Sequence, residues 1–149
     1  MPRSMYCTAK VDEQWIQLIL DSGFSGSVIT KSFMEKINRK IDQQSSINMV
    51  GIHGDKKKAL GEISSLPITI QDNLLPIDVV ISEATGYDVL VGNDWFIKYQ
   101  AILDWRINEL RFKSKNQEYK KPASCWKKLQ ITVVEDSDDE FEEELLAYY

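Results

Sequence analysis

The chain has 149 residues, enough for one compact domain with its own core and too few for two ordinary ones. Apolar residues make up 43% and charged residues 28%, and the net charge of -5 with no stripe of basic and aromatic residues argues against nucleic-acid binding. No run approaches the roughly 20 apolar residues that span a bilayer, and no N-terminal stretch has the order of a secretory signal, so the expectation is an intracellular, cytoplasmic protein without membrane association.

From Tyr6 apolar and polar residues alternate to Asp12 and Glu13, and an apolar-rich run from Trp15 to Leu20 follows. This pattern predicts two strands joined by a tight turn, the second running straight into Asp21. Ser27, Val28 and Ile29 make a short β-prone segment, after which Phe33, Met34 and Ile37 fall at helical spacing behind Thr30, a plausible N-cap. Between Ile47 and Ile63 three glycines surround the polar turn Gly54, Asp55 and Lys56, which predicts a hairpin with a mobile tip. Strands are expected over residues 66–71 and 76–82, separated by a turn at Asp72 and Asn73, then a buried strand over 87–91 that ends at Gly92. A short helix over 93–99 and a hairpin over 101–112, turning at Asn108 and Glu109, complete the pattern. Many short strands with one or two short helices indicate an all-β, barrel-like domain covering residues 1–113.

Beyond Lys113 the composition turns polar and basic, so 114–134 is expected to be a linker in which 125–126 and 129–134 can add a strand. Eight of the ten residues from Glu135 to Glu144 are acidic. Like charges repel and build no core, which predicts a disordered tail over 135–149, with Leu145, Leu146, Tyr148 and Tyr149 available as a docking motif. Cys7 and Cys125 lack zinc or redox spacing and read as free thiols of a reducing compartment.

The sharpest chemical signal is Asp21-Ser22-Gly23 at the end of an apolar strand. By itself such a triplet is equally an aspartate capping a turn. The stretch around this triplet and a later segment lie where one fold requires them. Residues 18–29, LILDSGFSGSVI, carry an apolar-apolar-Asp-Ser-Gly run with a downstream Ser-apolar-Ile, and residues 87–96, YDVLVGNDWF, carry an apolar-apolar-Gly segment opening a short helix. Together with Ala101-Ile102-Leu103-Asp104-Trp105 they resemble the retropepsin-like aspartic proteases, and more narrowly those of long-terminal-repeat retrotransposons.

That resemblance implies an all-β, retropepsin-like closed barrel that works as a two-fold homodimer. It also implies an aspartic endopeptidase that hydrolyses peptide bonds of a peptide or polyprotein substrate with no metal and no cofactor. Asp21 would be the catalytic carboxylate, Ser22 would hydrogen-bond across the dimer axis, and Gly23 would let backbone N–H groups approach the carboxylates. Phe24, Ser25, Ile52, His53 and Gly54 would meet substrate, the last three at the tip of a flap. The chain holds a single Asp-Ser/Thr-Gly, so two carboxylates sharing a proton require two copies of the chain. Phe24 departs from the family, which has a small residue there, and either narrows the subsites beside the scissile bond or packs against the flap. The alternative is a catalytically silent retropepsin-fold module for dimerisation or peptide binding. A plain structural domain would instead be a monomer.

The remaining conspicuous residues read structurally. His53, the only histidine, has no partner at ligand spacing and reads as an exposed loop residue, and Lys56, Lys57 and Lys58 read as a solvated turn able to steer an acidic partner. Asp88, Asp94 and Asp104 are expected at helix caps or the surface, and Trp15, Trp95, Trp105 and Trp126 in cores or interfaces.

Overall fold

The structure is a computed structural model that describes residues 4–50 and 56–125. β1 (Met5–Val11) and β2 (Gln14–Leu20) form the expected hairpin, paired from Val11 and Gln14 through Met5 and Leu20. Its two-residue turn has Asp12 and Glu13 at φ 47° and 70°, the left-handed pair whose twist matches that of the flanking strands. Arg39 grips the Asp12 carboxylate through Nε and Nη2, so the turn is tied to the end of the first helix and Asp12 is held below the usual carboxylate range by that hydrogen bond.

β3 (Ser27–Thr30) runs into α1 (Lys31–Lys36), which turns Phe33 and Met34 into the core. Thr30 caps it as expected, its hydroxyl accepting the Phe33 N–H at 3.3 Å from a fully buried position. Thr30→Ala should therefore cost about 1–2 kcal/mol, read as a lower midpoint at unchanged slope in urea unfolding, and Thr30→Ser should recover most of it.

β4 (Asn48–Val50) and β5 (Lys56–Lys58) pair antiparallel as the arms of the expected hairpin, whose tip lies outside the described residues. The two strands expected over 66–71 and 76–82 are instead four: β6 (Glu62–Leu66), β7 (Thr69–Ile70), β8 (Asn73–Leu74) and β9 (Ile77–Ser82). The turn between β7 and β8 is Gln71 and Asp72, both at positive φ, one residue earlier than expected. Asn73 is buried, and its side-chain amide donates to the Ile70 and Gln71 carbonyls, bracing that turn from inside.

β10 (Val89–Val91) and α2 (Asn93–Lys98) fall where the apolar-apolar-Gly segment places them. β11 (Ile102–Asp104) and β12 (Glu109–Ser114) follow, and the ladder does not stop at Lys113. β13 (Gln117–Pro122) pairs with the whole of β12, and β14 (Ser124–Cys125) returns to pair with Met5 and Tyr6. The stretch expected as a linker is thus strand as far as Cys125. Its apolar content is low because one face suffices at this edge: Tyr119 stacks on Phe112 at 5.6 Å while Glu118 and Lys120 face water.

The main sheet holds nine strands in the order β6-β9-β3-β10-β2-β1-β7-β8, with β14 also on β1, beside a three-stranded sheet of β11, β12 and β13. No ladder joins β6 to β8 among the described residues, so the sheet curls into a half-barrel around the core. This is an all-β, retropepsin-like fold with two short helices. Trp95 is fully buried at its centre with Phe96 edge-on at 5.4 Å. Trp15 and Trp105, expected in cores or interfaces, are 68% and 44% exposed in this chain, Trp15 because it occupies the outward phase of β2 while Ile16 and Leu18 occupy the inward one. Asp104, expected at a cap or surface, is buried beside Arg106 and Arg111.

Candidate active site at a strand crossing

β2 and β3 are joined by residues 21–26 yet are not neighbours. β10 lies between them, parallel to β2 through Leu90 and Ile19 and antiparallel to β3 through Leu90 and Val28. The connection must therefore cross the end of β10, and it does so over Gly92. A Cβ on Gly92 would come 2.7 Å from the Phe24 carbonyl oxygen and closer still to that of Gly26. Gly92 has φ -105°, which any residue can adopt, so glycine is needed here for space and not for conformation.

Hydrogen bonds tie the crossing from both sides. The Asp21 N–H donates to the Val91 carbonyl at 3.0 Å, the Phe24 N–H to the Asp21 carbonyl at 3.1 Å, and the Asn93 N–H to the Phe24 carbonyl. Ser27 accepts the Gly92 N–H at 3.1 Å and donates to Asp94 Oδ1 at 2.8 Å, and the same oxygen accepts the Trp95 N–H at 2.8 Å. Asp94 thereby joins the start of β3 to the start of α2, a bridge that its position in the sequence alone does not disclose.

The outcome is a fixed carboxyl group. Asp21 Oδ1 accepts the Gly23 N–H at 3.0 Å and Oδ2 accepts the Ser4 hydroxyl at 3.2 Å. Burial pushes its acidity down, so its pKa lies above the ordinary aspartate value even though both hydrogen bonds pull the other way. A carboxyl whose protonated form is favoured by burial, beside an exposed turn, is suited to give and take protons.

Of the residues singled out by sequence, Asp21, Ser22, Gly23, Phe24 and Ser25 are brought together in this turn, with Ser22, Gly23 and Ser25 exposed. Phe24 is half-buried on a small apolar cluster of Ile19, Tyr87 and Leu90 that is separate from the main core. Ile19 precedes Asp21 by two positions on the same phase of the strand, so this cluster lies on the Asp21 face. Ile52, His53 and Gly54 lie outside the described residues. Ser4, Ser27 and the Phe24 cluster were not found from sequence. A signal for Ser4 existed, because a two-residue turn at Asp12 and Glu13 fixes a register that, counted back, sets Ser4 opposite Asp21. Among the described residues no group of three His, Cys, Asp or Glu side chains is placed to hold a metal ion, and no helix is long and apolar enough to cross a membrane.

Comparison with known proteins agrees with this fold. The sequence profile of the family described as retroviral aspartyl protease matches residues 2–118. The UBA domain-containing protein Mud1 of Schizosaccharomyces pombe is 26% identical over 113 residues, 74% of this chain and 33% of that protein, so the chain spans about a third of this relative's length. The retroviral protease-like domain of Ddi1 from Leishmania major superposes with a TM-score of 0.63 at 18% identity, covering 82% of this chain and 96% of the other. A retropepsin-like aspartic protease from Rickettsia conorii superposes at 0.53 and 16% identity, covering 82% and 85%.

Proposed function

Because the chain belongs to the retroviral aspartyl protease family, we propose that it is an aspartic endopeptidase whose catalytic group is the Asp21 carboxyl of each of two copies. The observation that carries this reading is the pinned, partly buried Asp21 at the strand crossing, with its pKa raised by burial. One chain supplies one such carboxyl, and water activation between two carboxyls needs a second, so the functional unit is a homodimer with the site on its two-fold axis. Ser22 and Gly23 complete each half of the site. Ser22, exposed on the turn, is the group available to the second copy.

The reaction follows from a shared proton. One Asp21 carboxylate takes a proton from a water as its oxygen bonds to the scissile carbonyl carbon, while the protonated carboxyl of the other Asp21 gives its proton to the carbonyl oxygen. The tetrahedral species then breaks its C–N bond as the Asp21 carboxyl that took the water proton gives it to the leaving nitrogen and the other Asp21 takes a proton from a hydroxyl on the same carbon, which restores the shared proton and releases a carboxylic acid and an amine. The hairpin of β4 and β5 serves as the flap that covers an extended polypeptide, with Ile52, His53 and Gly54, which lie between the two strands in sequence, as its substrate-contacting residues, and processing of a polyprotein is the matching substrate class.

A second reading rests on Phe24. By lying on the Ile19, Tyr87 and Leu90 cluster it occupies apolar surface on the Asp21 face, which favours a peptide-binding module without turnover. Mass-resolved cleavage of a diverse peptide library by the parent chain and Asp21→Asn separates the two: cleavage that vanishes in the variant establishes the peptidase, and no cleavage by a confirmed dimer leaves the binding module. Phe24→Ala should uncover the cluster and shift preference toward bulky side chains beside the scissile bond, by about 10-fold in kcat/KM for one large apolar residue. Equal ratios for small and bulky substrates in parent and variant would rule out this role.

A further inference from the structure

Both oxygens of Asp21 are held from within one chain, and only one of the two holders belongs to the turn itself. The other, Ser4, lies 17 positions away and reaches Oδ2 because the β1–β2 register sets it opposite Asp21. Ser4 is buried, 8% exposed, immediately ahead of β1, and its hydroxyl lies 3.2 Å from the carboxyl oxygen that Gly23 leaves unused. We infer that Ser4 is a positioning residue of the site, whose hydroxyl orients the Asp21 carboxyl and favours its ionised form as the proton-accepting partner. This rests on the reading of Asp21 as the catalytic group and goes beyond it, since the aspartate turn contains no such residue.

The physical basis is that a hydroxyl donating to a carboxylate stabilises the charged form and also removes rotational freedom about the Cβ–Cγ bond. Little else bears on this carboxyl among the described residues. β2 and β3 carry no charged side chain. Lys10 of β1 pairs with Glu13, Asp94 of α2 is engaged by Ser27, and Asp88 ahead of β10 feels Lys36. Within one chain, burial, the Gly23 N–H and the Ser4 hydroxyl are the named influences on Asp21, and the Asp21 of a second copy faces it equally in parent and Ser4 variants, so deletion of the hydroxyl is read as the difference between them.

The test is a 13C NMR titration of aspartate carboxyl groups in the whole protein, with the Asp21 resonance assigned by its absence in Asp21→Asn. Ser4→Ala should raise the Asp21 midpoint by about half a pH unit or more, and Ser4→Thr, which keeps the hydroxyl, should return it to the parent value. The acid limb of kcat/KM against pH should move up with the midpoint in Ser4→Ala, whereas a merely structural role would lower activity equally at every pH. An unchanged midpoint in Ser4→Ala, or a Ser4→Thr protein that titrates like Ser4→Ala, overturns the inference. If Ser4→Ala does not fold, Ser4→Cys, whose thiol is a weaker donor, gives the same reading. The titration needs no turnover, so a parent chain without peptidase activity would sink the proposed function while leaving the Ser4 result standing or falling by itself.

Discussion

Asp21→Asn is expected to lower peptide cleavage by at least about 10²–10⁴-fold, the range attributable to a positioned general acid or base, and to make the fold more stable at neutral pH. Activity is lost because an amide cannot accept the water proton, and in a homodimer the substitution removes both carboxyls together. Stability rises for a separate reason. Burial sets the folded-state pKa of Asp21 above the unfolded value, so between the two the native state binds more protons than the unfolded one. Stability therefore falls as pH rises through that window, and at neutral pH the ionised, partly buried group is a net cost. Asparagine carries no charge and keeps an oxygen to accept the Gly23 N–H, so its midpoint of thermal unfolding at pH 7 should exceed the parent's by about 2–5 °C. The gap should close as pH drops below the folded-state value, where the parent is protonated as well. Calorimetry across acidic to neutral pH, with cleavage assays on the same samples, checks both halves. A variant that still cleaves would remove Asp21 from the mechanism, and one less stable than the parent at neutral pH would show that its hydrogen bonds outweigh burial.

Gly92→Ala should be strongly damaging, costing about 2–4 kcal/mol in chemical unfolding and misplacing the Asp21 turn. The new Cβ would meet two backbone carbonyls, those of Phe24 and Gly26, and not the far end of a flexible side chain. Relief requires the turn to lift away from β10, which breaks the Ser27 contact with the Gly92 N–H and the Asn93 contact with the Phe24 carbonyl. Gly26→Ala, in the same loop, is the control. Nothing lies within 4 Å of its added Cβ, and its cost should stay within about 1 kcal/mol. Equal costs for the two variants would mean that the crossing is not tight at Gly92.

How much of this was legible in the sequence depended on whether a feature was local. The β1–β2 hairpin, the Thr30 cap and the placement of both helices could be read because alternation, a two-residue turn and a capping hydroxyl act within a few residues. The Asp-Ser-Gly turn and the apolar-apolar-Gly segment could be found as motifs. Their relation could not, since nothing in the composition of residues 87–92 says that this strand lies between β2 and β3. The stretch after Lys113 was misread because its polar residues belong to an edge hairpin that needs only Tyr119 against Phe112, a pairing invisible until the partner strand is known.

The amino-acid order by itself thus determined that the chain is a small all-β domain presenting a single carboxyl at the end of an apolar strand. The tertiary structure decided what that carboxyl meets: Gly92 gives the loop room to cross, Asp94 and Ser27 fasten it, Phe24 covers the apolar cluster beside it, and Ser4 holds its second oxygen. The division has a physical cause. Backbone propensity and periodicity are properties of neighbouring residues, whereas burial, close approach and hydrogen bonding to Asp21 arise from strands whose order in the sheet is not their order in the chain.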